Sequence, residues 1–401
     1  MTYFSRQNLT RRTFLKVAAA GLVTRAGIAD KAVASEAESA AETFEDVSKA
    51  RAILAASPVV DFHTHFGLWQ TMGLPISFVD PMVKPMSTHR LDRNISEHLA
   101  GGVNCVYLDI VSDVMLTRLG RPGNKLRDFK KGEAWREYLR QYDILKSILK
   151  KDRLEFLQSP KDIPSVSKQG NLGVFFSTEG GHMIEDDPEK LDVMFEHGLR
   201  RIQPIHYVST TIGDNQTDEK KYGGLSATGK EIIKRITEKG MMLDCAHASF
   251  ACAAQMAELY GKPLALSHTM MHYMSPQYGA FGKAQRSRWI SEDHARMIAS
   301  TGGVIGTFPI KAPWGVDTLD QFVELVKVMM DTVGEDHVCW STDLIDSARP
   351  NFLPSYKDLP FIAQAMLKSG FDKQSIQKFF GYNALRVHEA TVSEPILGNR
   401  R

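Results

Sequence analysis

Eight short apolar runs recur along this chain, separated by segments with helical character, and that alternation restricts its fold more than any other feature. The runs are Pro58–Phe62, Asn104–Ile110, Leu172–Ser177, Arg201–Ile205, Met241–Cys245, Pro263–Leu266, Gly303–Phe308 and His337–Trp340. They are continuous rather than alternating, as parallel strands covered on both faces must be. Amphipathic stretches such as Lys190–His197, Gly229–Lys239, Ser291–Ser300 and Leu319–Val333 lie between them. Strand followed by helix, eight times over, predicts a (β/α)8 TIM barrel spanning residues 51–390. Two connections, Gly67–Arg93 and Met115–Gln141, are long for such units and are expected to shape the mouth of the barrel.

Barrels of this kind place their chemistry at the C-terminal ends of the strands. The first run is followed by His63 and His65, which a two-residue period points the same way into the mouth. The third leads to Glu179, the fourth to His206, the fifth to His247, the sixth to His268 and the eighth to Asp343. Six of eight runs thus end in a side chain able to bind a metal or move a proton. A single histidine would usually be a satisfied polar residue, and Glu179 or Asp343 alone could cap a helix or hold a turn. Independent accidents would not all fall at the same end of successive strands, so these residues are read as one metal site. The remaining histidines, His89, His98, His182, His197, His272, His294, His337 and His388, are assigned no chemistry.

Composition narrows the field further. Hydrophobic residues make up 43% of the 401 and charged residues 24%, ordinary values for a globular chain. No run of eighteen apolar residues predicts a membrane span. Residues 1–34 hold six Lys or Arg against one Asp, leaving a net charge of about −3 on the rest. Nothing in that balance calls for nucleic acid as a partner. Arg11-Arg12, then Phe14-Leu15, a mild apolar run from Val17 to Val23, and Ala32-Val33-Ala34 follow the order of a secretory leader. The paired arginines resemble the bacterial twin-arginine signal, which implies the twin-arginine export machinery as a partner and a periplasmic or otherwise exported protein. Residues 35–50 are expected to form a linker or first surface helix, and residues 391–401 a tail. Cys105, Cys245, Cys252 and Cys339 show no paired spacing and are expected to be buried free thiols.

The ordered motifs resemble the membrane dipeptidase (renal dipeptidase) family of metallopeptidases, in the amidohydrolase superfamily, over roughly residues 50–390. They are Glu179-Gly180-Gly181-His182, Ile205-His206, Gly224-Leu225-Ser226 with Gly229, and Leu243-Asp244-Cys245-Ala246-His247. After these come Leu266-Ser267-His268, Arg288 before Ile290-Ser291-Glu292-Asp293, Ser341-Thr342-Asp343, and the stretch from Gly381 to Val387. The resemblance implies two divalent metal ions, zinc, with His63 and His65 on one, His247 and His268 on the other, and Glu179 bridging both. It implies that His206 contacts the substrate and steadies the developing oxyanion, that Asp343 shuttles the proton, and that Arg288 grips a substrate carboxylate. Such roles are chemically coherent: paired metals activate water and polarise a carbonyl, and a planar guanidinium suits a carboxylate. A dipeptide or similar small molecule is the implied substrate, and a homodimer the implied assembly.

Three departures from the family pattern cluster at the site. His65 stands where a carboxylate is usual, making the site one unit more positive while keeping it suited to zinc. The segment Thr269-Met270-Met271-His272-Tyr273 is bulkier than the small residues usual after the sixth-strand histidine. Asp343-Leu344-Ile345-Asp346 lacks the usual glycine turn. Hydrolysis of another exported amide, lactone or ester is therefore an alternative expectation, as is a non-catalytic periplasmic maturation or binding protein on the same barrel.

Overall fold

The computed structural model describes residues 45–65, 88–117, 124–271, 288–309, 316, 318–344 and 352–392, without the side chains of residues 88–90. The signal-like segment 1–34, most of 35–50, the tail beyond 392, His272 and Asp346 lie outside that set. The chain divides into Met1–Ser48 and a compact unit, Lys49–Arg401, and it is the latter that carries the barrel.

Among the described residues there are nine strands: β1 (Val60–Thr64), β2 (Cys105–Ile110), β3 (Leu154–Phe156), β4 (Leu172–Glu179), β5 (Leu199–Gln203), β6 (Met242–Leu243), β7 (Ala265–Leu266), β8 (Val304–Gly306) and β9 (Val338–Cys339). Eight of them fall on the eight predicted runs. Parallel pairing runs β1-β2-β4-β5-β6 and β7-β8-β9. Parallel bridges at Asp244↔Ala265 and Thr64↔Leu344 join the two arcs, so the barrel closes. The ninth strand, β3, was not foreseen. It pairs with the first three residues of β4, Leu172 to Val174, before β5 takes up pairing at Phe176. Three residues are too few to show a period, which is why the sequence did not announce it.

Side-chain parity sorts the strands into two cores. Val60, Phe62, Cys105, Tyr107, Phe175, Met242, Ala265, Val304 and Cys339 form one cluster, filling the barrel's interior. Val106, Leu108, Val174, Ile202, Leu243 and Val338 belong to the other, packed against the helices. Both faces are dry, so every residue of β1, β2, β4 and β5 is buried. The four cysteines are buried and free, as expected.

The helices begin and end where their local chemistry dictates. Helix Ala227–Lys239 starts at Ser226, whose hydroxyl accepts from Gly229 N at 2.9 Å, and stops at Gly240 in the left-handed region. Helix Leu319–Val333 opens with a reciprocal capping box between Thr318 and Gln321. The stretch from Gly381 to Val387 and the turn before it have a structural task. Residues Lys378–Tyr382 form a π-helical turn under β9, with Trp340 N donating to Phe379 O at 2.7 Å. Asn383 Nδ2 then binds Glu335 O and Val338 O, and Arg386 binds Gly302 O and Asp336 O. These bonds satisfy carbonyls at the N-terminal end of the barrel, the face remote from the predicted chemistry.

Candidate metal centre

The inward rows that are apolar near the strand starts turn polar toward the strand ends. On β2 the row runs Cys105, Tyr107, Asp109, and on β4 it runs Phe175, Ser177, Glu179. On β1 the register shifts between Asp61 and Thr64, an extra residue that lets Phe62 join the interior cluster while His63 also turns inward. His63 and His65 then face each other across 3.1 Å between their Nε2 atoms. From the opposite side come His247 and His268, also 3.1 Å apart at Nε2.

Glu179 sits between the two pairs. Its Oε1 lies 3.1 Å from His247 Nε2, 3.2 Å from His206 Nε2, 3.5 Å from His268 Nε2 and 3.9 Å from His63 Nε2. Its Oε2 is 3.3 Å from His65 Nε2. Gly180 makes this placement possible: its φ is +88°, and a Cβ there would come within 2.8 Å of His182 Nδ1. Asp343 approaches from β9, with Oδ1 2.9 Å from His65 Nε2 and 3.5 Å from His63 Nε2, and Oδ2 3.8 Å from His268 Nε2. His247 and Asp343 both adopt left-handed backbone, φ 64° and 49°, a strained turn that sends their side chains back over the barrel mouth.

All seven histidine and carboxylate residues expected at strand ends are therefore brought together. By ligand atoms six of them form two overlapping groups, His63, His65, Glu179 and Asp343, and Glu179, His206 and His247, with His268 Nε2 3.1 Å from His247 Nε2. Two imidazole nitrogens 3.1 Å apart can share only one proton, so mutual hydrogen bonding leaves this many converging nitrogens poorly satisfied. A set of imidazole and carboxylate donors suits a borderline cation such as zinc, and the residues fit one. Burial holds His63 in its neutral form, down at about 3, and keeps His247 and His268 well below the usual range, the state a metal ligand needs. Burial pushes His206 down too, but Asp113 and Glu179 outweigh it and raise it to about 10. For His65, Asp343 and Glu179 likewise overcome the burial penalty and raise it well above its ordinary value.

Arg288 is buried, and its Nη1 donates to Gln216 Oε1 while its guanidinium lies 5.9 Å from the Tyr207 ring centre. Among the described residues it has no carboxylate partner. Tyr207 in turn packs on His247 with ring centres 4.6 Å apart, so Arg288 lies beside the centre.

The two runs that ended in no candidate also contribute. After β8, Phe308 packs against His268 with ring centres 5.6 Å apart. After β2, Asp113 accepts from His206 Nδ1 at 2.7 Å and from Val208 N at 3.2 Å. His182, assigned no chemistry, lies behind it, 3.7 Å from Asp113 Oδ2 and bonded to Val208 O at 2.7 Å. Sequence reasoning missed Asp113, Asp109, Asp244 and Arg201. The signal was present for Asp109 and Asp244, acids interrupting otherwise apolar strands. Other histidines serve packing: His98 stacks on Tyr356, His197 on Tyr142, and His337 Nδ1 bonds Gly303 O.

The barrel and its seven converging side chains are those of a metal-dependent hydrolase fold. The family model described as membrane dipeptidase (peptidase family M19) matches residues 47–396, and the chain belongs to that family. A dipeptidase of Clonostachys rogersoniana, verJ, is 25% identical over 64% of this chain, and the match spans 66% of that relative, a little under two-thirds of its length. A metallopeptidase from Rhodobacter sphaeroides, solved with a phosphinate mimic of the dipeptide L-Ala-D-Ala, superposes with a TM-score of 0.68 at 18% identity, covering 84% of this chain and 99% of its own. The crystal structure of PvdM from Pseudomonas aeruginosa, described as a probable dipeptidase, gives 0.70 at 16% identity, covering 86% and 98%. At these identities the two solved structures share the fold.

Proposed function

We propose that this protein is an exported zinc-dependent hydrolase that cleaves the amide bond of a dipeptide or dipeptide-like substrate. The observation that carries the proposal is the convergence of five histidine Nε2 atoms on Glu179 at the C-terminal mouth of a closed barrel, with the guanidinium of Arg288, which has no carboxylate partner among the described residues, beside it. His63 and His65 would hold one zinc ion, His247 and His268 the other, with Glu179 between. Bound there, the pair supplies an activated water and a polarised carbonyl. The protein's own groups do the rest. Arg288 orients the substrate by its terminal carboxylate, a planar pairing that a lysine cannot reproduce. His206, fixed at Nδ1 by Asp113, presents Nε2–H to the oxygen on which charge develops. Asp343 carries a proton from the attacking water to the leaving amine. A fraction collected from the periplasm is expected to contain a chain beginning near Ser35, with close to two zinc ions and activity on a panel of dipeptides, including ones with a C-terminal D-residue. Zinc with no dipeptide turnover would instead favour another exported amide, lactone or ester, the reading that His65 and the buried Met270 and Met271 beside the site support. A chain with neither zinc nor turnover would sink both.

Arg288 has a separate signature. Arg288→Met is expected to raise KM for free dipeptides by about 10²-fold, the loss of one charged, desolvated contact, with little change for carboxyl-amidated substrates. Equal losses on both would mean that the guanidinium does not read the carboxylate.

A further inference from the structure

Beneath the centre lies a fully buried ionic cluster, and Arg201 is its middle. Arg201 Nη2 donates to Asp109 Oδ1 and Oδ2 at 3.0 and 2.9 Å, and its Nε lies 3.4 Å from Asp244 Oδ2. Ser177 Oγ donates to Asp109 Oδ1 at 2.7 Å. The cluster touches both histidine pairs. Asp109 Oδ2 is 3.2 Å from His63 Nδ1. Asp244 Oδ1 accepts from Ser267 N at 3.0 Å, and Ser267 Oγ is 3.0 Å from His268 Nδ1.

His63 Nδ1 also lies 3.1 Å from Arg201 Nη2, so two neighbours make opposite demands on one nitrogen. If Nδ1 accepts from Arg201, the ring proton of neutral His63 sits on Nε2 and blocks it as a ligand. If Nδ1 donates to Asp109, Nε2 is left bare toward the centre. Arg201 has other acceptors in Asp109, Ser177 and Phe62 O, whereas Asp109 offers His63 a charge-assisted bond. We infer that Asp109 is a positioning residue that selects the ligating Nδ1–H tautomer of His63, with Arg201 clamping Asp109 in place and tying it through Asp244 to the His268 side. The inference rests on reading the centre as a metal site.

Asp109→Asn preserves shape but removes the charge and puts an amide nitrogen among groups that are nearly all donors. Zinc affinity, measured on the full chain by competition with a chromophoric chelator, is expected to fall about 10- to 100-fold for one ion per chain. In chelator-treated protein, histidine ¹⁵N spectra are expected to move His63 from Nδ1–H toward Nε2–H. Ser177→Ala loosens the same cluster without changing what His63 meets, and should keep zinc affinity within about threefold. Unchanged affinity and tautomer in Asp109→Asn, with only a lower melting temperature, would overturn the inference and leave Asp109 a structural residue. A wild-type chain that binds no zinc would instead remove the metal reading, and the tautomer spectra would still decide whether Asp109 directs His63.

Discussion

Glu179→Gln is expected to drop bound zinc from two ions per chain to one or none and to cut kcat/KM on a cleaved dipeptide by about 10³-fold or more. The size of the effect follows from position. Among the described residues Glu179 is the one carboxylate within 4 Å of all five histidines at Nε2. An anion placed between two cations offsets their mutual repulsion, and a neutral amide of equal volume does not. The glutamine amide also turns a donor toward nitrogens that must stay bare to bind metal. Folding should survive, because the change is isosteric and the strand, β4, is held by β2 and β5 on either side. Elemental analysis beside steady-state kinetics checks it. A variant that kept both zinc ions and most of its activity would mean that Glu179 is not the shared ligand.

The barrel was legible because its strands are dry on both faces, which turns each into an unbroken apolar run, and because the side chain that follows each run stands at the mouth. The same dryness hid what lies inside the strands. A continuous run does not reveal which parity faces the interior, so Arg200 and Arg201 look equivalent in sequence. In the structure Arg200 turns outward onto Phe195 and its carbonyl, while Arg201 turns inward between Asp109 and Asp244. Strand β5 starts at Leu199 rather than at Arg201, so Arg200 also lies inside it, and nothing in the run marks which of the two adjacent arginines faces the interior. The shift in β1 has a similar effect, since an alternation rule applied from Val60 would send either Phe62 or His63 away from the interior. Asp113 escaped because it lies three residues beyond β2, past Ile110, where no regular pattern indicates its direction. Residues at strand ends could thus be read from order along the chain, whereas residues that support them needed register.

Asp343→Asn is expected to lower kcat by about 10²- to 10⁴-fold while leaving zinc content and KM close to those of the unaltered protein. The two carboxylates of the centre differ in where they sit. The Glu179 side chain is only 5% exposed, enclosed by rings, whereas that of Asp343 is 19% exposed at the mouth. A group that takes a proton from water and hands it to a departing amine must reach both the interior and the substrate, and Asp343 does. It nevertheless lies 2.9 Å from His65 Nε2, close enough to serve as a metal ligand instead. The two roles separate in this variant. Asparagine tolerates the left-handed φ of 49° as readily as aspartate, so the backbone turn is kept and the loss reports the carboxylate alone. An alanine there would add backbone strain and confuse the reading. If kcat falls with both zinc ions retained, Asp343 moves the proton. If zinc is lost in step with activity, Asp343 holds the metal, and another group must shuttle the proton. His206 would then be the candidate, its Nε2 3.2 Å from Glu179 and its Nδ1 anchored by Asp113.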